Sequence, residues 1–258
     1  MGVFIFYLFI HNKYRKFKEK ENMDKVHTQL MDFFRSQQSK TPLSINERSL
    51  QIFGNEKFLA SSECKKILNK YHISMGAFNV YNTPEPFIYY TYPGYSKDAL
   101  IIENKDTWYT MRKVLMETGK ICGCRFKALI YGEGRKIQSS FEYINEEDTK
   151  DIHDIEYFYY FGDLDSSGID ILYKLKKSYP LYRIVPFEPA YEFLYSKKRN
   201  GRVKDLKLQI PISYEEVRIL SFLGENAIND IYTFCNHDYI VPQENLNYEE
   251  LMNWDLFY

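Results

Sequence analysis

Short apolar runs alternate with stretches of helical periodicity between residues 98 and 187 of the chain. Apolar runs bounded by glycine or polar residues are typical of buried strands, and apolar residues three or four positions apart are typical of helices. The predicted strands are residues 99–102, 126–131, 155–161 and 182–187. The predicted helices between them are residues 107–118, 136–145 and 169–176. This alternation predicts an α/β domain with a parallel sheet, flanking helices and right-handed crossovers.

The pattern before residue 98 is mostly helical. A capping box at Ser44 and Glu47 predicts the start of a short helix, and Gly54 predicts its end. The predicted helices of this region are residues 23–38, 47–53 and 62–71. Prolines and glycines between residues 74 and 98 flank a predicted strand at residues 87–92 and indicate a boundary. We therefore predict two parts, a mainly helical N-terminal region over residues 1–95 and an α/β domain over residues 96–258 that ends in helices.

Composition and charge narrow the class of protein. With 258 residues, of which 45% are hydrophobic, the chain is expected to form one large or two small globular domains. The net charge of −1 means that any binding of nucleic acid must come from a local basic patch. A solvated loop is the competing interpretation of such a patch. The candidate DNA-binding residues form the densest basic cluster outside the N-terminus: Lys197, Lys198, Arg199, Arg202, Lys204 and Lys207.

Cysteine usage and the N-terminus bear on where the protein works. Four cysteines without framework spacing fit a reducing, cytoplasmic environment. Cys122 with Cys124, and Cys235 with His237, do not have the usual spacing of zinc ligands, so buried free cysteines are favoured over a zinc site. The apolar run at residues 3–10 is interpreted as a strand or a packed segment. A helix that spans a bilayer needs about 20 residues, and this run is shorter, so we expect no stable membrane insertion.

The strongest candidate for chemistry is the turn after the third predicted strand, where Asp163 and Asp165 are separated by one residue. Like charges this close are stabilised by a cation, and carboxylate oxygens suit Mg²⁺ or Mn²⁺. Because ligands bind at the carboxyl ends of parallel strands, Glu103 after the first predicted strand is expected to lie near this pair. The competing interpretation is a solvated acidic turn, because turns are rich in Asp, Ser and Gly.

The chain contains, in this order, ERSLQIFGNEKFL from Glu47, ENKDTWY from Glu103, YGEG from Tyr131, FGDLDSSGIDIL from Phe161 and VPQENL from Val241. These segments resemble, in the same order, segments of the JetD family, the nuclease subunits of Wadjet plasmid-defence systems. A Glu after the first strand, and D-x-D-x-x-G after the third, is also the pattern of the Toprim domain that this family carries at its C-terminus. The resemblance covers roughly residues 44–246.

The resemblance implies a Toprim fold, a Rossmann-like parallel sheet flanked by helices, related to the A subunit of type IIB topoisomerases. It also implies a divalent metal, held by Glu103, Asp163 and Asp165, and cleavage of double-stranded DNA. Glu133 departs from the small residue expected in its loop, and the motif at residues 243–244 matches the family without an assigned chemistry. The partners implied are DNA and subunits of an SMC-type complex, and a homodimer is left open.

These observations lead to a metal-dependent DNA endonuclease as the main hypothesis. Lys105 is assigned to stabilise negative charge that develops on the phosphate. The alternative from another class is a non-catalytic DNA-binding or assembly subunit of a topoisomerase-like or SMC-type complex. An intact acidic triad favours the enzyme, because three anions held together cost free energy that a silent module does not need to spend. A primase-like or phosphatase-like Toprim enzyme is the third interpretation.

Overall fold

The computed structural model describes residues 21–36, 41–203 and 211–254 of the chain. The chain divides into two compact units, one ending at Thr83 and the other beginning at Pro84. The apolar run at residues 3–10 lies outside the described residues, and so do Lys204 and Lys207. Within the described ranges, no helix is both long enough and apolar enough to cross a membrane.

The first unit is mainly helical. Its helices are α1 (Glu21–Arg35), α2 (Ile45–Phe53) and α3 (Ser62–Tyr71), and its two short strands, which pair in parallel, are β1 (Leu43–Ser44) and β2 (Val80–Tyr81). The capping box forms, because the Ser44 N–H donates to Glu47 Oε2 over 2.8 Å and the Glu47 N–H donates to Ser44 Oγ over 3.3 Å. Gly54 ends α2 with a left-handed φ of 68°, a conformation that glycine adopts without steric cost.

A fully buried arginine lies inside this unit. Arg48 Nε donates to the Phe78 carbonyl over 2.9 Å, and Nη2 donates to the Thr41 carbonyl over 2.7 Å. Its guanidinium also lies over the Phe33 ring, 5.5 Å from the ring centroid. A buried cation is tolerated only where hydrogen bonds replace water. The carbonyls that supply these bonds therefore tie α2 to the segments before and after it.

The second unit is built on a five-stranded sheet. Its strands are β3 (Tyr89–Thr91), β4 (Asp98–Ile102), β5 (Ala128–Tyr131), β6 (Tyr157–Phe161) and β7 (Arg183–Pro186). Their order across the sheet is β3-β5-β4-β6-β7, and the four strands β4 to β7 are parallel, as predicted. β3 is an antiparallel edge strand beside β5. It belongs to the second unit, whereas the sequence pattern placed it in the N-terminal region.

The helices of the second unit alternate with its strands and then form a C-terminal group. They are α4 (Lys105–Thr118), α5 (Ile137–Ser140), α6 (Ser166–Ser178), α7 (Glu188–Ser196), α8 (Tyr214–Val217), α9 (Glu225–Cys235) and α10 (Tyr248–Met252). Two short strands, β8 (Arg202–Val203) and β9 (Tyr239–Ile240), pair antiparallel.

One predicted helix is shorter in the structure. The helix expected at residues 136–145 is a single α-helical turn, α5, followed by 3₁₀ turns at Phe141–Asn145. Ser139 Oγ donates to the Lys136 carbonyl over 3.0 Å. Hydrogen bonds from serine to a nearby carbonyl compete with those of the α-helix, so the serines in this segment disfavour a long helix.

Both faces of the sheet are covered by apolar side chains. Leu100 and Ile102 of β4 pack into one buried cluster, and Ala99 and Ile101 pack into a second cluster. Successive residues of a strand point to opposite faces, and parallel sheets are generally covered on both. The structure therefore confirms the predicted α/β class, a Rossmann-like sheet flanked by helices.

Candidate functional site

The carboxyl ends of β4, β5 and β6 lie side by side at one edge of the sheet. Ile102, the last residue of β4, is in register with Tyr131 of β5 and Phe161 of β6. The residues that follow stay paired, since the Glu103 N–H donates to the Phe161 carbonyl over 2.9 Å and the Gly132 N–H donates to the Ile102 carbonyl over 2.8 Å. The main chain thus brings the segments after these three strands to the edge where open α/β sheets bind ligands.

Glu103 is half-buried, and its carboxylate is held by a tyrosine of the neighbouring strand. The Tyr160 hydroxyl donates to Glu103 Oε2 over 2.9 Å. A Cβ atom on Gly162 would lie 2.3 Å from the same oxygen. Glycine therefore leaves room for the carboxylate where β6 ends, because a side chain there would displace it. Lys105, assigned to phosphate contacts, is the exposed first residue of α4.

Asp163 and Asp165 lie in different environments. Asp163 is half-buried, and its Oδ1 accepts hydrogen bonds from the Gln243 main-chain N–H at 2.9 Å and from Gln243 Nε2 at 3.5 Å. Asp165 is 1% exposed and caps α6, with its Oδ1 accepting from the Gly168 N–H over 2.7 Å. A Cβ atom on Gly168 would lie 2.3 Å from the Asp163 carbonyl oxygen. The last glycine of D-x-D-x-x-G therefore allows the turn to close tightly.

A second tyrosine lies beside the acids. The Tyr191 hydroxyl accepts a hydrogen bond from the Gly162 N–H over 3.2 Å. Burial raises the pKa of Tyr191 well above its ordinary value, and the three carboxylates, Glu103 foremost, raise it further because they repel a phenolate. Burial, followed by Glu103, raises the pKa of Tyr160 in the same way. Both phenols are therefore held in the neutral form.

The loop after β5 places a cation beside the turn into α6. Arg135 Nη1 donates to Asp170 Oδ2 over 2.5 Å, and Nη2 lies 3.4 Å from Ser167 Oγ. Asp170 is 5% exposed, so this ion pair is anchored in the protein on its acidic side. Glu133, whose role the sequence left open, is exposed with a φ of 53° and pairs with Lys136 over 2.8 Å. Arg135, rather than Glu133, thus connects this loop to the acidic turn.

The VPQENL motif packs against the acidic edge. Leu164 and Val241 exchange main-chain hydrogen bonds of 3.0 and 3.2 Å. Gln243 is fully buried, and its Oε1 accepts from the Asn104 N–H over 3.4 Å. Glu244 Oε1 accepts from Asn104 Nδ2 over 3.0 Å. The motif therefore contacts Asn104, which follows Glu103, and Leu164, which lies between Asp163 and Asp165.

The basic cluster is only partly available to a ligand. Lys197 and Lys198 form ion pairs of 2.9 and 2.6 Å with acids on α10 and α9, respectively. The side chains of Arg199 and Arg202 are exposed. Exposed ion pairs are weak, so Lys197 and Lys198 can exchange partners, but they are less available than the two arginines.

Sequence reasoning missed Asn104, Tyr160 and Tyr191 at this edge, and it gave Gln243 no role. A tyrosine in an aromatic strand is indistinguishable from core in a single sequence, so Tyr160 carried no signal. Asn104 had one weak signal, its position directly after Glu103. Gln243 was singled out only through the motif that contains it.

Observations at this edge both favour and oppose the binding of a metal ion. Carboxylate oxygens are suitable ligands for Mg²⁺, which is commonly held by one or two carboxylates together with water and phosphate oxygens. Across the part of the chain that the structure describes, however, no three His, Cys, Asp or Glu side chains are grouped so as to hold a metal ion. Each of the three predicted acids accepts a hydrogen bond from the protein.

Comparison with known families adds to this geometry. Residues 92–187 match the family model described as Wadjet protein JetD, C-terminal. This stretch of the chain is similar to the C-terminal part of JetD proteins. The match confirms the resemblance over these residues, and it includes β4 to β7 and the three acids at their edge. It ends before the VPQENL motif of the C-terminal group. No curated protein matches the chain.

Proposed function

We propose that this chain is a Toprim-type DNA endonuclease that depends on Mg²⁺ or Mn²⁺ and works within a Wadjet-like plasmid-defence system. The observation that carries the proposal is the placement of Glu103 and Asp163, both half-buried, at the carboxyl ends of the adjacent parallel strands β4 and β6. The similarity of residues 92–187 to JetD proteins supports the same reaction. The name of that family also supports a role in a defence complex.

The carboxylate oxygens of the three acids are of the chemical type that a hard divalent cation prefers. Glu103 and Asp163 would hold the ion, and Asp165, which is buried as the cap of α6, would contribute mainly its negative charge. Both bonds from Gln243 go to Oδ1 of Asp163. A bound divalent ion would polarise the scissile phosphodiester and lower the pKa of a water molecule.

The residues of the chain have distinct tasks in this proposal. Tyr160 is a neutral donor that orients the Glu103 carboxylate. Lys105, at the start of α4, and Arg135, beside Ser167 in the first turn of α6, would supply positive charge to phosphate oxygens. Arg199 and Arg202 are available to contact the DNA backbone without reading its sequence.

Plasmid cleavage by matched carboxylate variants tests the proposal. Wild type should nick or linearise a plasmid with Mg²⁺ or Mn²⁺, and Glu103→Gln should lose this activity because the amide removes the charge that holds the cation. Glu133→Gln is the control, since Glu133 is an exposed carboxylate on the neighbouring loop that pairs with Lys136. Equal cleavage by wild type and Glu103→Gln would reject the proposed site.

One observation favours a second candidate, a non-catalytic DNA-binding or assembly subunit. Among the described residues no ready-made group of three metal ligands exists, and protein donors already occupy the three acids. In that case the acids would stabilise the fold and the basic cluster would bind DNA. Wild type would then bind DNA without cleaving it at any concentration of Mg²⁺ or Mn²⁺.

Partners other than DNA are also part of the proposal. We propose subunits of an SMC-type complex as partners, on the basis of the family match alone. A homodimer is a further proposal, and sedimentation of the purified chain with and without DNA would test it.

A further inference from the structure

Gln243 occupies an unusual position for a polar side chain. It is fully buried, yet it lies in the C-terminal group, 80 residues from Asp163 and 139 residues from Asn104 along the chain. A buried amide costs free energy unless hydrogen bonds replace those to water. The groups that form hydrogen bonds with Gln243 therefore indicate its role.

The two ends of the Gln243 side chain contact different segments of the acidic edge. Oε1 accepts from the main-chain N–H of Asn104, the residue next to Glu103, over 3.4 Å. Nε2 lies 3.5 Å from Asp163 Oδ1, to which the Gln243 main-chain N–H also donates over 2.9 Å. A single side chain thus spans the segment after β4 and the segment after β6.

The surrounding contacts hold this side chain in place. The main-chain pairing of Leu164 with Val241 attaches the motif to the acidic turn immediately before Gln243. The contact between Glu244 and the Asn104 amide attaches it to the other segment immediately afterwards. Val241 and Leu246 are buried in the same apolar cluster as β4 and β6. Gln243 is therefore fixed on both sides.

We infer that Gln243 is a positioning residue of the proposed cleavage reaction, one that sets the distance between the Glu103 and Asp163 segments and the orientation of the Asp163 carboxylate. The inference rests on the proposed function. Residues that orient metal ligands typically change metal affinity or activity by about 10- to 100-fold when they are substituted. Gln243 would act through Asp163, without touching the DNA.

Mn²⁺ binding and plasmid nicking measured on the same samples test this inference. Gln243→Met keeps the length and volume of the side chain but removes both hydrogen bonds. We expect about a tenfold weaker Mn²⁺ affinity by electron paramagnetic resonance titration and at least tenfold lower kcat, with KM for plasmid unchanged. Gln138→Met is the matched control, since Gln138 Nε2 is buried without a hydrogen-bond partner among the described residues. It should leave both quantities unchanged.

A second variant keeps the test valid if Gln243→Met destabilises the fold. Glu244→Ala removes the bond to Asn104 from an exposed residue, and it should weaken Mn²⁺ binding by a smaller factor, about threefold, with an unchanged melting temperature. Mn²⁺ binding by Gln243→Met that equals wild type would overturn the inference while the proposed function survives. A wild type that neither binds Mn²⁺ nor cleaves plasmid would overturn both.

Discussion

Both units of the protein bury a charged side chain, but the two charges are stabilised differently. In the first unit, Arg48 is fully buried, and main-chain carbonyls of Phe78 and Thr41 accept its hydrogen bonds. In the second unit, Asp165 is 1% exposed and accepts the Gly168 N–H as the cap of α6. Main-chain groups replace part of the water that each charge loses, and Arg48 also donates to the side chain of Gln51.

The difference lies in what surrounds each charge. The carbonyls around Arg48 are partial negative charges, so they interact favourably with its guanidinium. Asp165 lies in the same turn as Asp163, and together with Glu103 both raise the pKa of the neighbouring Tyr191. Clustered like charges oppose folding in the absence of a cation. The charge of the first unit therefore serves the fold, whereas we propose that the charges of the second unit serve a ligand.

Neutralising Asp163 should separate activity from stability most clearly. Asp163→Asn keeps the shape of the side chain and removes repulsion between the acids, so the melting temperature should stay constant or rise. Cleavage with Mg²⁺ or Mn²⁺ should fall by about 1,000-fold, which corresponds to about 4 kcal/mol in the barrier. Asp148→Asn, at an exposed carboxylate that accepts from Tyr143, is the control. A large loss of stability in Asp163→Asn would mean that this acid serves the fold.

Removing Arg48, the buried cation of the first unit, should instead lower the stability of the protein. Arg48→Met leaves the carbonyls of Phe78 and Thr41 without these donors, so the free energy of unfolding should fall by about 3 kcal/mol. Urea unfolding followed by far-UV circular dichroism measures this change. Lys66→Met, at an exposed position of α3, should change it by less than about 0.5 kcal/mol. Similar stability of the two variants would contradict the structural role of Arg48.

The exposed part of the basic cluster should affect DNA binding alone. Replacing Arg199 and Arg202 by Gln should weaken DNA binding about tenfold and reduce the slope of log K against log salt by about 2, because two phosphate contacts are lost. The paired Lys197 and Lys198 are the comparison, since their ion pairs with α10 and α9 should make the same substitution less costly. Fluorescence anisotropy at several salt concentrations measures both. Mn²⁺ affinity should not change.

Two substitutions at Asp165 separate its effect as the cap of α6 from the effect of its negative charge. Asn caps helices as well as Asp, whereas Ala costs about 1 kcal/mol at this position. Asp165→Asn should therefore retain stability and lower plasmid cleavage, while Asp165→Ala should lower both. Thermal melting and nicking of the two variants give the answer. Full cleavage by Asp165→Asn would restrict Asp165 to capping α6.

The fold class and the location of the candidate site could be predicted from local sequence patterns. Apolar runs of strand length and helical periodicity depend on local burial, so they predicted the four parallel strands and most helices. Chain direction then required Glu103 and the turn with Asp163 to share one edge. The capping box at Ser44 depended on local hydrogen bonds and was predicted for the same reason.

The differences between the acids, and the residues that support them, depend on contacts between distant parts of the chain. Asp163 and Asp165 are equivalent in the sequence, but one accepts from Gln243 and the other caps α6. The contact of Gln243 spans 80 residues, and the bond from Tyr160 to Glu103 spans 57. Partners so far apart leave no periodicity in a single sequence, because their meeting depends on strand order and on the packing of the C-terminal group. Local sequence patterns therefore predicted which edge of the sheet carries the acids, and long-range packing determined their hydrogen-bond partners.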